Sequence, residues 1–308
     1  MHMADALLSP VVGGAGWAAA LFAAAYSARR IELAPEEPSV PLMGVGASFV
    51  FAAQMLNFAI PGTGSSGHIG GGLLLAALLG PHGAFLAMAS ILAVQALFFA
   101  DGGLLALGCN VFNLGFFPCF IAYPLLFEPI AGTPPTRGRL AAASMVAAIV
   151  GLQLGAFFVV METKLSGVAA LPTGAFLLLM QPIHLAIGVV EGLATSAVLL
   201  FMWRARPEAL HAFAGPQVAG GARRFGKLGA GLLTAALVMG GVLSWFSSSR
   251  PDGLEWSLAK VAGEETTPGP WPAMGAHESL VGVVGIALTL LVAGLIGLGV
   301  RRRFAAKN

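Results

Sequence analysis

The chain has 308 residues, 57% of them hydrophobic and 10% charged, with a net charge of +2. A soluble domain carries about 25% charged residues, so this chain cannot cover itself with a polar surface, and its mean hydropathy of +0.85 agrees. No basic stripe with interleaved aromatics occurs, which excludes nucleic-acid binding.

About nine apolar segments follow in chain order, at 8–27, 41–60, 69–80, 83–100, 108–127, 140–161, 182–203, 228–247 and 279–300. Most approach the ~20 residues a helix needs to cross ~30 Å of hydrocarbon. They are continuously apolar rather than alternating, which excludes a barrel. The expected fold is an all-α polytopic membrane protein. Residues 1–205 form a seven-helix unit, 206–227 a cytoplasmic linker with Pro207 and Pro216, and 228–308 a two-helix unit. The tail's external loop, roughly 248–278, opens on Pro251-Asp252-Gly253-Leu254-Glu255-Trp256. No internal repeat is evident, which weakens an inverted-repeat transporter.

The short third segment, Ile69 to Leu79, is glycine-rich and reads as re-entrant or strongly tilted. Orientation decides whether it crosses. Arg29 and Arg30, Arg137 and Arg139, Arg204 and Arg206, Arg223 with Arg224 and Lys227, and Arg301 to Arg303 all fall on one side if every segment crosses. The positive-inside rule makes that side cytoplasmic and the N-terminus external, in the cell inner membrane. The first residues lack the positive stretch of a secretory signal, with His2 and Asp5 in its place, so Met1 is expected to be the mature end. Cys109 and Cys119, about 15 Å apart along one helix, are too distant for a disulfide and read as packing residues.

The chemistry begins at Met1-His2. A free α-amine, the His2 amide nitrogen and the His2 ring close two fused chelate rings on one metal, a nitrogen set that suits Ni(II) or Cu(II), with Co(II) also accepted. Alone, a histidine at position 2 means little. A fourth donor is offered by His68 in Gly62-Thr63-Gly64-Ser65-Ser66-Gly67-His68, a loop on the same external side, with Ser65 and Ser66 placed to orient its ring. Its glycines let the backbone fold inward beside Met1.

Polar residues within spans are costly and are either functional or paired. His184 and Glu191 lie on one face of one helix, Asn110 and Asn113 open another, Gln95 and Gln153 sit within others, and Asp101 closes a span. An ion relay through His184 and Glu191 is one reading; interhelical hydrogen bonds that fix the bundle are the favoured one. His82, in a cytoplasmic turn, reads as interfacial, and His211 and His277 receive no role. The sequence contains no Gly-x-x-x-x-Gly-Lys-[Ser/Thr] loop, no His-Glu-x-x-His and no Gly-x-Ser-x-Gly elbow, so it lacks the residues of a P-loop ATPase, a zinc protease or a serine hydrolase.

Several segments together resemble one family. They are Met1-His2-Met3 with Asp5-Ala6-Leu7-Leu8-Ser9-Pro10, Pro61 to Gly80, Gln95 to Gly115, and His184 to Thr195. The resemblance is to the CbiM/NikM group, the substrate-capture subunits of energy-coupling-factor transporters for cobalt and nickel. It covers about residues 1–205, and the tail with its PDGLEW stretch resembles the CbiN/NikN companion subunit, fused here into one chain. The resemblance implies an N-terminus plugged into the bundle and Ni2+ or Co2+ held by the Met1 amine, the His2 amide, the His2 ring and the His68 ring. It also implies partners, namely a transmembrane coupling subunit and two ATP-binding cassette subunits. The chain itself is then not an enzyme. Two other readings stand beside it: an ion-coupled carrier working through His184, Glu191 and Asp101, and a membrane assembly or regulatory protein without a substrate.

Overall fold

The structure, a computed structural model, describes residues 1–32, 40–205, 210, 222–263 and 276–305. The linker positions Arg206, Pro207, His211 and Pro216 lie outside the described residues, as do the side chains of Arg223, Arg224, His277 and Arg301 to Arg303.

The chain starts extended, makes a single 3-10 turn at Asp5–Leu7, and enters α1 (Pro10–Glu32). Proline suits this first position because its missing N–H is an orphan there anyway. Helix α2 (Val40–Gln54) stops short of the predicted segment end. The chain then forms a two-stranded antiparallel hairpin, β1 (Phe58–Ala59) on β2 (Ser66–Gly67), around Pro61 to Gly64. Helix α3 (Gly72–Phe98) follows.

Helix α3 joins the third and fourth predicted segments into one element with a sharp break at Gly80, whose φ of 73° and ψ of 166° are open only to glycine. Its first limb, Gly72 to Leu79, rises about 12 Å, well short of the ~30 Å hydrocarbon thickness. This limb is also the innermost part of the bundle: Leu73, Leu75 and Ala76 have no exposed surface.

Helix α4 (Leu107–Ala131) widens to π-helical turns over Phe112–Phe127. Pro118 and Pro124 lie in that stretch, where each removes a backbone donor and crowds the preceding turn. Helix α5 (Arg137–Ser166) is capped by the Thr136 hydroxyl, which accepts from Arg139 N at 3.3 Å, and ends on left-handed Gly167. Helix α6 (Thr173–Ala205) runs through Pro182. Helix α7 (Ala222–Gly241), the short α8 (Gly253–Ala262) and α9 (Ala276–Ala305) complete the tail.

Six helices among the described residues are long and apolar enough to cross a membrane, with α2 and α7 as shorter apolar helices. Large apolar side chains face outward, Val11 at 81% and Phe22 at 76% exposure among them. In water this would be a broad aggregation surface, whereas lipid accepts it. The protein is a multi-pass membrane protein.

The tail does not stand apart. Helix α9 lies against α2, where Ser48 Oγ donates to Ile286 O at 3.0 Å, and its backbone meets α7 at the Gly282–Gly240 contact. Such small-residue contacts and interhelical hydrogen bonds are what hold helices together where lipid removes the hydrophobic drive.

Candidate metal site

The N-terminal segment is pinned beside the start of α4. Asn110 accepts from Met3 N at 2.8 Å through Oδ1 and donates through Nδ2 to Met3 O at 3.1 Å, while Gly103 N donates to the same carbonyl at 2.9 Å. Asp5 Oδ1 accepts from Ala106 N at 2.9 Å. A side chain at Gly103 would land on Asp5, so only glycine lets this loop lie against the N-terminus. Replacing Asn110 with alanine strands the buried Met3 N–H, a loss of about 1–3 kcal/mol. Thermal unfolding of Asn110→Ala should show that loss, with weaker metal uptake alongside it.

This anchoring brings the His2 and His68 rings together, stacked with centroids 5.2 Å apart and planes inclined by 17°. His2 Nδ1 donates to Asp101 Oδ1 at 2.8 Å, and its buried Nε2 has no partner among the described residues. The Asp101 carboxyl is opposed by burial, yet attraction to His2 outweighs that and holds its pKa at about 2. His68 Nδ1 donates to Ile69 O at 3.0 Å, which leaves Nε2 with its lone pair. Burial, with the Met1 amine and His2 nearby, pulls the His68 pKa down to about 4. The ring is therefore neutral at pH 7, the state a metal requires.

The loop carrying His68 is held from two sides. From below, Glu191 on α6 accepts from Gly70 N and Gly71 N, both at 2.9 Å, and Gln54 Nε2 donates to Gly70 O at 2.7 Å. From above, the tail's Pro-Asp-Gly turn meets it: Ser66 N donates to Pro251 O at 2.8 Å and Ser66 Oγ to Arg250 O at 2.7 Å. Ser65 Oγ bonds Thr63 Oγ1 at 2.8 Å. The two serines thus shape the loop and dock the tail, and the His68 ring takes its orientation from Ile69 O instead.

The same turn supplies a carboxylate. The Met1 amine donates to Asp252 Oδ2 at 2.6 Å, while Asp252 Oδ1 caps α8 by accepting from Glu255 N at 2.8 Å. Burial disfavours the Asp252 charge, but the amine beside it prevails and its pKa stays well below the usual carboxylate range. Gly253 is packed so closely that a Cβ would sit 2.5 Å from Ile183 Cγ2 and 3.1 Å from His184 Cε1. Gly253→Ala should therefore lift the turn, at the ~1–3 kcal/mol typical of overpacking. Faster hydrogen exchange at the Ser66 amide, which would lose Pro251 O, is the expected sign.

Asn113 lies deeper, donating from Nδ2 to Glu162 Oε2 at 2.6 Å. Glu162 escaped the sequence reading because a carboxylate two residues before Lys164 at a helix end looks like an interfacial pair. Among the described residues no three His, Cys, Asp or Glu side chains converge to hold a metal.

The cobalt-uptake substrate-specific transmembrane family, CbiM, matches residues 2–209. The chain belongs to the CbiM family. A PDGLE domain matches residues 226–280, so this CbiM member carries the companion module in the same polypeptide. It is 31% identical over 303 residues to an Archaeoglobus fulgidus protein named as a fused nickel transport protein, NikMN, covering 94% of this chain and 96% of that one. A cobalt transport protein CbiM of Geobacter sulfurreducens is 32% identical over 298 residues, covering 91% and 76% of the two chains. Among solved structures, a truncated transition metal transporter is 28% identical with a TM-score of 0.59, over 67% of this chain and 99% of that one.

Proposed function

We propose that this CbiM-family chain captures Ni2+ or Co2+ from outside the inner membrane, as the substrate-binding subunit of an ATP-driven energy-coupling-factor transporter. The observation that carries the reading is the stacking of the His2 ring on a neutral His68, with Met1 and His68 lining one pocket beside the tail's turn. Membership of the family and the nickel or cobalt transport names of its relatives support the substrate class.

In this reading the donors are the Met1 amine, the His2 amide nitrogen, His2 Nδ1, which is the ring nitrogen nearer its own amide, and His68 Nε2. Without metal, two of them are engaged: the amine with Asp252 and His2 Nδ1 with Asp101. An arriving dication displaces one proton from the amine and one from the His2 amide to water, and the His2 ring then carries its proton on Nε2. The two carboxylates then stay behind and offset part of its charge. The reading includes Met1 as the mature first residue, an external N-terminus and a short α3 limb that completes the seven-helix unit. Transport itself is assigned to the partners, a transmembrane coupling subunit and two ATP-binding cassette subunits, whose ATP hydrolysis reorients the loaded chain.

The test is metal content and affinity of the purified full chain, with intact mass confirming Met1. About one Ni(II) or Co(II) per chain, held at least about tenfold more weakly by His68→Ala, supports the reading; equal affinity in both proteins rejects it.

A further inference from the structure

His184 has an unusual setting for a residue that merely fixes the bundle. It is 1% exposed, its Nδ1 donates to Met180 O at 2.8 Å on its own helix, and its buried Nε2 has no partner among the described residues. With the Nδ1 proton fixed by a carbonyl, Nε2 carries a lone pair, and this backbone-oriented imidazole is the arrangement that metal-ligating histidines adopt.

His184 also borders empty space. A cavity of ≈ 10 Å³ is lined by His184, Asp252, Met1 and His68, with Gly253 as part of its roof. That is about the space of one water molecule, enough for a dehydrated divalent ion and too small for one with its hydration shell. Asp252 Oδ2 and the Met1 amine, now sharing a proton across 2.6 Å, border the same space.

We propose that His184 Nε2, Asp252 Oδ2 and the Met1 amine form an inner station for the same dication, beneath the outer nitrogen chelate. The ion takes the place of the proton shared by the amine and Asp252, and that proton leaves to water. Both stations use the Met1 amine, so they are occupied alternately by one ion. The inner set has two nitrogens and one carboxylate and needs no amide deprotonation, so it accepts Co(II) and Ni(II) alike. It also makes the fused tail a direct contributor of a ligand. The proposal rests on the capture reading above.

The experiment titrates Co(II) into the full chain, following visible absorption and equilibrium dialysis, with thermal unfolding to verify each variant. His68→Ala, which removes an outer donor, should keep about one Co(II) per chain, and adding His184→Leu should weaken that binding at least about tenfold and alter the spectrum. Equal Co(II) binding by His68→Ala with and without His184→Leu overturns the inner station and leaves the cavity to a water molecule. So does a folded His68→Ala protein that binds none. If instead His68→Ala binds as the parent does while His184→Leu alone weakens binding, the outer chelate fails and the inner station stands.

Discussion

One residue added before Met1 is expected to abolish tight binding of Ni(II) or Co(II), although the added residue touches no side chain of the bundle's core. The extension turns the Met1 nitrogen from a primary amine into an amide and moves the new amine out of chelating register with His2. It also removes the ammonium that Asp252 holds at 2.6 Å, leaving that half-buried carboxylate with Glu255 N as its partner among the described residues. Losing even an outer-sphere partner of a metal ligand costs about 10–100-fold in affinity, so losing a ligand outright should exceed about a hundredfold. Dialysis against radioactive nickel measures this, and unchanged affinity would remove the N-terminus from the site altogether. Binding by the unextended chain should also release protons, from the amine and the His2 amide, so affinity rises with pH through the neutral range. His68 adds nothing to that slope, because its pKa of about 4 leaves it already neutral there.

The second large effect is expected far from any donor atom. Glu191→Ala leaves Gly70 N and Gly71 N buried without acceptors. At about 1–3 kcal/mol for each orphaned group the loss is roughly 2–6 kcal/mol, a large share of the stability of an ordinary domain. Gly71 sits at φ 77°, so the loop depends on these bonds to keep a turn that other residues avoid. Because His68 is carried on the same loop, metal affinity should fall together with the unfolding temperature. Glu191→Gln retains one acceptor and presents an amide donor to the other N–H, so it should recover only part of either quantity. A Glu191→Ala protein with native stability but no transport would instead point to an ion relay.

Much of this was readable in order along the chain. The membrane fold follows from composition, because lipid acts on every residue separately and selects apolar runs whatever they later touch. The proposed chelate at Met1-His2 is equally local, since its donors there lie within two consecutive residues. Loop membership of His68 and the shared helical face of His184 and Glu191 also come from spacing alone.

The pairings could not be read this way. Asp252 lies 251 residues from the amine it holds, and Asp101 reaches His2 from the loop between α3 and α4. No periodicity records such distances. The sequence treats His184 and Glu191 as one pair, yet the fold gives them separate tasks: Glu191 grips the loop amides, while His184, its Nε2 without a partner among the described residues, lines a small cavity. Ser66, expected to steer His68, instead docks the tail. The residue types that carry the chemistry are thus set locally, by what each atom can donate. Which donor meets which acceptor is decided only when α4, the hairpin, α6 and the tail pack together, because a buried polar group must find a partner wherever the bundle brings one.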